Sequence, residues 1–373
     1  MIKKIVIARS NAVEPDSRVE KEANSLAKAG YDVTILAWDR SNNYRIREDK
    51  KTLSDSSVRR ISFGCKAGFG DGLKSLKSYL LFQKRLFCWL VKNKNEYDIA
   101  HLCDFDTAFF GSKAARLCKK QYIFDIFDYL STDANNLFQK VIKHAEDNII
   151  NHSTATIICT EERRQQIRDA KPAKLVIVHN TPEAIEIENT KRKTDKKKIK
   201  ICYVGILQDY RLIKEMVHAI ENMDYLELHI GGFGKYEEDI KTEAINHGNI
   251  IYYGKLQYKD TIALENDCDI MTAIYDPSIG NHYYAAPNKF YEALFLGKPL
   301  IMVKGTGMSN VIKENDLGEL IDFSEEGFIL GVKNLVDRKD EWKEMKKRMQ
   351  KIYKEEYSWS EMEKRLYSLY EEL

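Results

Sequence analysis

Apolar positions in the first half of the chain come in short runs separated by helical patterns. KKIVIA (3–8) and YDVTILAW (31–38) are runs of strand length. Between them SRVEKEANSLAKAG has helical spacing and ends at Gly30, a residue suited to the turn after a helix. A polar loop leads to the strand VRRISF, a long helical stretch over 72–95, the strand YDIAHL, a helix around Thr107–Lys119 and the strand QYIFDIF. A helix around Ala134–Asn151, the strand ATIICT, a helix from Glu161 and the strand KLVIVHN follow. Strands alternating with helices predict a parallel sheet covered on both faces.

PEAIEIENTKRKTDKKKIK interrupts this rhythm with a polar, basic stretch that has no period, as expected of a linker. A second alternation then starts at IKICYVG and continues through LELHIGG, NIIYYGK, CDIMTAIYD, KPLIMV and LGELIDF. The pattern predicts a first domain over 1–182, a linker over 183–199 and a second domain over 200–356. An amphipathic helix over 357–373 has no strand after it and completes the first domain. Each domain is expected to be a doubly wound, Rossmann-like sheet that binds ligands at the carboxyl ends of its strands, the pair facing a central cleft.

At 373 residues, with 43% apolar and 31% charged residues, the composition is that of a globular protein. No apolar run is long enough to cross a bilayer, and the N-terminus reads as a strand rather than a signal peptide. The seven cysteines form no Cys-x-x-Cys pair, and several sit in apolar runs, so they read as reduced core residues of a cytoplasmic chain. Net charge is only +2, but residues 1–185 carry 31 Lys and Arg against 23 Asp and Glu, whereas 201–373 carry 21 against 31. A basic half and an acidic half suggest different partners for the two, or a drift in surface composition.

The turn after the first strand reads ARSNAVEPDSR, without the Gly-x-Gly-x-x-Gly of dinucleotide enzymes, and no Gly-Lys-Ser/Thr loop occurs. APNKFYEALFLGKPLI (285–300) is more telling. With Pro287 as its first residue, this helix would offer the N–H groups of Asn288, Lys289 and Phe290 to an anion. A phosphate there would make Lys289 favourable, and Glu292, on the same face, can accept two hydrogen bonds from a ribose diol. The plain alternative is an exposed ion pair. YVGILQDYR adds Gly205 and Arg211 at a strand–loop–helix junction, and GGFGKYEED adds Gly231, Gly232 and Gly234 at another. Asp104-Phe105-Asp106 and Asp267-Cys268-Asp269 have metal-binding spacing. Lys74, Lys77, Lys84, Arg85 and Lys92 alternate with apolar residues in the 72–95 stretch, as on a helix resting on an anionic bilayer or packed on its sheet. No aromatic–basic motif of a nucleic-acid reader is present.

In order, DSRVEKEANSLAKAGYDVTILAWDR, YDIAHLCDFDT, KLVIVHNTPE, YVGILQDYRLIKEMVHAI, HIGGFGKYEE, IIYYGKLQYKD, NKFYEALFLGKPLI and YSWSEMEKRLYSLYEEL resemble the family 4 glycosyltransferases, which have the GT-B architecture of two Rossmann-like domains. The resemblance implies a retaining transferase that takes a sugar from a nucleotide-diphosphate sugar, with UDP the expected carrier. It implies no cofactor and no metal. It carries donor binding onto Gly205, Arg211, Gly234, Lys255, Leu256, Pro287, Asn288, Lys289, Phe290 and Glu292, with Arg211 and Lys289 as catalytic cations. It carries acceptor binding onto Arg18, His101, Asp125 and Asp128, the last also a catalytic candidate. The acceptor would be lipid-linked or a growing glycan, met at the inner face of a membrane. Two family positions differ: Tyr284 stands where the first glutamate of a pair is usual, and Phe127 where histidine is frequent. An epimerase of the same fold, using His101, His179 or His282, and a non-catalytic partner subunit are the rival readings.

Overall fold

The computed structural model describes residues 2–68, 75–130, 136–183 and 198–373. It divides into two compact units, Met1–Asn180 with Met362–Leu373, and Thr181–Glu361. Unit 1 runs β1 (Lys4–Arg9), α1 (Ser17–Lys28), β2 (Asp32–Asp39), β3 (Tyr44–Thr52), β4 (Ser57–Gly64), α2 (Leu76–Lys92), β5 (Ile99–Cys103), α3 (Asp104–Leu117), β6 (Gln121–Ile126), α4 (Leu137–His152), β7 (Ala155–Ile158) and β8 (Leu175–Ile177). Its sheet has the order β3-β4-β2-β1-β5-β6-β7-β8, parallel except where β3 meets β4. Asp16 caps α1 by accepting the Val19 N–H, and Gly30, at φ +89°, takes the left-handed turn that ends it.

Unit 2 runs β9 (Ile199–Ile206), α5 (Ile213–Glu221), β10 (Leu226–Phe233), α6 (Glu237–Asn246), β11 (Ile250–Tyr252), α7 (Tyr258–Asp267), β12 (Ile270–Ala273), α8 (Gly280–Tyr283), α9 (Asn288–Leu296), β13 (Leu300–Val303), α10 (Ser309–Asn315), β14 (Gly318–Ile321), α11 (Glu325–Asp337) and α12 (Trp342–Ile352). Its parallel sheet has the order β11-β10-β9-β12-β13-β14, so the winding reverses between β9 and β12. After a π-turn at Tyr353–Tyr357, α13 (Trp359–Glu371) contributes its residues from Met362 onward to unit 1. There Met362, Leu366, Leu369 and Tyr370 are fully buried, and Tyr367 donates to the Ser25 carbonyl at 3.1 Å.

The doubly wound sheets match the sequence pattern, with three local differences. The polar loop before VRRISF is an antiparallel edge strand, β3, whose mostly exposed residues leave no hydrophobic signature. The helix expected from Glu161 is only a 3-10 turn over Glu162–Gln165. The start of the 72–95 stretch, with Lys74, and residues 184–197 of the linker lie outside the described residues.

A buried ionic network fills the centre of unit 1. Arg18 of α1 donates to Asp125 at 2.8 Å and to the Val178 carbonyl at 2.6 Å, and pairs with Glu22 one turn on at 3.1 Å. His101 of β5 lies between the Tyr370 hydroxyl, at 2.7 Å, and Asp125, at 3.2 Å. The five side chains, of Arg18, Glu22, His101, Asp125 and Tyr370, are nearly or fully buried. Burial pushes the Asp125 carboxyl up, but Arg18 and His101 outweigh it and hold it below the usual range. Glu22, pushed up by burial and then by Asp125, reaches about 7. The acceptor-binding roles expected of Arg18, His101 and Asp125 are therefore corrected: their polar atoms are spent on one another, tying α1, β5, β6 and α13 together.

Removing the cation from such a network strands two buried carboxylates. Arg18→Met is expected to cost about 3–5 kcal/mol of stability, read as a lower urea midpoint. An unchanged midpoint would show that unit 1 does not depend on the network.

Candidate functional site

The site assembles where the unit 2 sheet reverses its winding, the position at which open α/β sheets bind ligands. The ends of β9 (Gly205, Ile206) and β12 (Ala273, followed by Ile274 and Tyr275) form its floor. The N-terminus of α9 (Asn288, Lys289, Glu292), the start of α7 (Tyr258, Thr261), Leu256 and Arg211 form its walls. The cavity they enclose is about 510 Å³.

Pro287 proves to be the cap rather than the first residue of α9, with φ −69° and ψ 134°, and no side chain caps the helix. The Phe290 N–H donates to the Pro287 carbonyl at 2.9 Å, and the Phe290 ring is buried against Tyr291 and Tyr357. Phe290 is thus withdrawn from the cavity, against expectation. Pro287, Asn288, Lys289 and Glu292 remain on its wall.

Lys289 and Glu292 do pair, at 2.7 Å, but not as an exposed couple. Glu292 is buried, and Lys289 reaches a third group, Glu265 of α7, also at 2.7 Å and fully buried. Burial pulls the Lys289 ammonium down, but Glu265 and Glu292 outweigh it and hold it well above the usual lysine range. Burial, then Glu292, pushes the Glu265 carboxyl up to about 8 against the pull of Lys289. Tyr258 lies near both carboxylates, and burial, then Glu292 and Glu265, raise its titration. Glu265 escaped the sequence reading, although its place on the Thr261–Ile262–Glu265 stripe of α7 put it on the buried face.

Arg211 lines the same cavity. Its guanidinium stacks over the Tyr275 ring at 4.0 Å, and Nη1 lies 3.2 Å from His282 Nε2. Burial, then Arg211, holds His282 below the usual histidine range. Among the described residues no carboxylate pairs with Arg211. The Arg211 guanidinium, backed by two flat groups, and the start of α9 with a lysine held by carboxylates can together grip a diphosphate.

The remaining expected residues divide. Leu256 lines the cavity, whereas Lys255 lies over the Phe233 ring at 5.0 Å and is not part of the wall. Gly234 is not part of it either: at φ +145°, a Cβ there would come 2.6 Å from the Leu207 carbonyl oxygen, so the glycine serves the turn. Tyr284 ends α8 with its ring against Tyr283. In unit 1, Asp128 is exposed and pairs with Arg163 at 3.0 Å, while Phe127 lies beneath the guanidinium groups of Arg9 and Arg18. His179 is buried and lies 3.5 Å from Glu161.

Both Asp-x-Asp pairs meet protein donors. Asp104 accepts the Phe127 and Asp128 N–H groups and pairs with Arg9, and Asp106 accepts from Ser10. Asp267 pairs with the Lys200 ammonium, and Asp269 accepts the Lys200 N–H.

Residues 15–181 match the family model of the glycosyl transferase 4-like domain, and residues 184–365 that of the group 1 glycosyl transferases. No curated protein sequence matches the chain. Among solved structures, sucrose-phosphate synthase from Thermosynechococcus elongatus has a TM-score of 0.78 at 13% identity, over 99% of this chain and 98% of that one. Anabaena HepE in complex with UDP has a TM-score of 0.71 at 10% identity, over the whole of both chains. The lipopolysaccharide outer core galactosyltransferase WaaB, in its apo form, has 0.66 at 14% identity, over 98% of this chain and 99% of that one. At these identities the likeness is one of fold. The two family models adjoin and between them match most of both units, and the chain belongs to the GT-B glycosyltransferases of the group 1, family 4 type.

Proposed function

We propose that the chain moves a sugar, with retention of configuration, from a nucleotide-diphosphate sugar to a lipid-linked or polysaccharide acceptor in the making of cell-surface glycans. The observation that carries this is the single cavity in which Arg211, Lys289, Glu292 and the start of α9 converge. Arg211 and Lys289 stabilise charge building on the departing diphosphate, together with the N–H groups of the helix end. Glu292 takes the ribose diol, and the backbone beside Leu256 meets the base. The leaving diphosphate itself receives the acceptor proton, so no protein nucleophile enters the step. Asp128 is the acidic candidate on the acceptor side. UDP is the carrier of choice, since HepE, similar in fold, is described in complex with UDP and with UDP-glucose. No metal or other cofactor enters this scheme.

The acceptor is met at an anionic membrane surface through unit 1. No helix among the described residues is long and apolar enough to cross a membrane. Support comes instead from one face of α2, where exposed Leu76, Leu80 and Leu81 lie among exposed Lys77 and Lys84. Beside it a largely apolar groove of about 310 Å³, lined by Ile46, Leu81 and Trp89, is edged by Arg45, Lys84 and Lys92. Arg85 lines the same groove and is held in place there, its guanidinium donating to the Tyr44 and Gly64 carbonyls.

Incubation with labelled nucleotide sugars tests the central reading. Hydrolysis or transfer is the expected result; a sugar returned changed would mark an epimerase, and no binding a non-catalytic subunit. Arg211→Met and Glu292→Gln should each weaken calorimetric binding of UDP by roughly 1–3 kcal/mol, the range for hydrogen bonds to charged groups. Unchanged affinity in both, with folding intact, would remove the clamp.

Flotation of the full chain with vesicles tests the membrane contact. Binding to anionic but not neutral vesicles is expected at low salt, with loss at high salt, and Lys77→Glu with Lys84→Glu should weaken it by roughly 1 kcal/mol or more per site. A chain that stays unbound at low salt would point to a soluble acceptor.

A further inference from the structure

The proposed clamp contains one carboxyl more than its chemistry requires. Glu292 lines the cavity and has a task; Glu265 does not reach the cavity wall, yet it touches Lys289 as closely as Glu292 does. With all three ionised, this cluster carries a net charge of −1 directly under the place where a diphosphate must settle. The Glu265 Oε2 atom is buried and has no hydrogen-bond partner among the described residues, a costly state for a carboxylate. Glu292, by contrast, accepts from the Lys289 ammonium at 2.7 Å and also lines the cavity.

We propose that Glu265 is a positioning residue for the donor site: while ionised it holds Lys289 back from the diphosphate, and when protonated it yields the ammonium, so that nucleotide binding takes up a proton. The proposal rests on the nucleotide-diphosphate reading of the cavity. The proton passes from solvent to a Glu265 oxygen and no covalent bond changes. Lys289 then turns from a protein carboxylate to a phosphate oxygen, remaining charged throughout, and Glu292 is left for the diol.

The groups facing Glu265 allow its titration to be singled out. Lys289 and Glu292 face it from α9, Tyr258 from its own helix, and Cys202 from β9. Tyr203 and Tyr275 lie within the field of Lys289. Lys289, Cys202 and the three tyrosines all titrate above their ordinary ranges, whereas Glu265 lies near 8. Beside Arg211, His282 is the other group whose protonation an incoming anion would favour.

Calorimetric titration of the full chain with UDP, ADP and GDP, from about pH 7 to about pH 9.5, tests this, repeated near pH 8.5 in two buffers of different ionisation enthalpy. For the tightest nucleotide, affinity should fall above about pH 8, by at most about tenfold per pH unit, with uptake of up to one proton. Glu265→Gln should keep the affinity seen near pH 7, flatten the fall and abolish the uptake. The nucleotide's own titrations are common to both proteins and cancel. An unaltered slope and uptake in Glu265→Gln would assign the proton to His282 or elsewhere and overturn the proposal. So would wild-type binding without uptake, which decides the matter even if the variant does not fold. Failure of every nucleotide to bind the folded wild type would instead remove the donor-site reading, and this proposal with it.

Discussion

Taking an ionised side chain out of water costs several kcal/mol unless an opposite charge and hydrogen bonds offset it. Each unit of this chain meets that constraint with one cation set between two carboxyls. In unit 1 it is Arg18 between Asp125 and Glu22; in unit 2 it is Lys289 between Glu292 and Glu265. Much of the architecture follows from satisfying them. The first network also holds His101, whose second ring nitrogen meets the hydroxyl of Tyr370, so the last helix residues supply a partner that β5 and β6 lack. The second lets a lysine sit in the first turn of α9, where the helix dipole alone would disfavour it.

The layered fold was legible because its cause is written in period and length. Apolar runs such as KLVIVHN and IKICYVG are too short and too continuous for surface helices, and the stretches between them have helical spacing. The features that escaped are those whose cause lies elsewhere in the chain. Strand β3 exists because β4 offers an edge, not because YRIREDKKT has a hydrophobic face. Pro287 permits either a cap or a first turn, and the path of the chain entering α9 made it the cap.

The charged residues show the same division. Arg18 and Glu22 lie four apart on the stripe of α1 that also carries Val19 and Leu26, and Glu265 lies on the apolar stripe of α7. A charge on such a stripe is a sequence-level sign of a buried pair, but the partner comes from a distant segment: Asp125 for Arg18, Lys289 for Glu265. Family resemblance gave Arg18, His101 and Asp125 a place against the acceptor, whereas the contacts made inside unit 1 leave them no polar atom to offer it. The Lys289–Glu292 spacing was legible as a pair. That it was a triad was not, because periodicity within α9 carries no information about α7.

The two cations of the donor cavity are held in opposite ways, and this sets the field an incoming anion meets. Arg211 is supported by the face of Tyr275 and the neutral ring of His282, so its charge is fully expressed toward the cavity. The charge of Lys289 is cancelled within 2.7 Å by Glu292 and Glu265. In the unliganded chain, attraction of a diphosphate therefore falls to Arg211 and the start of α9, and a short-range grip by Lys289 has to displace a carboxylate contact that already exists. Such an exchange favours a ligand that brings more negative charge than the carboxylate it replaces, and a nucleoside diphosphate does so where a neutral sugar does not. The same pairing that lets Lys289 be buried thus gives the cavity a preference for the charged end of its ligand.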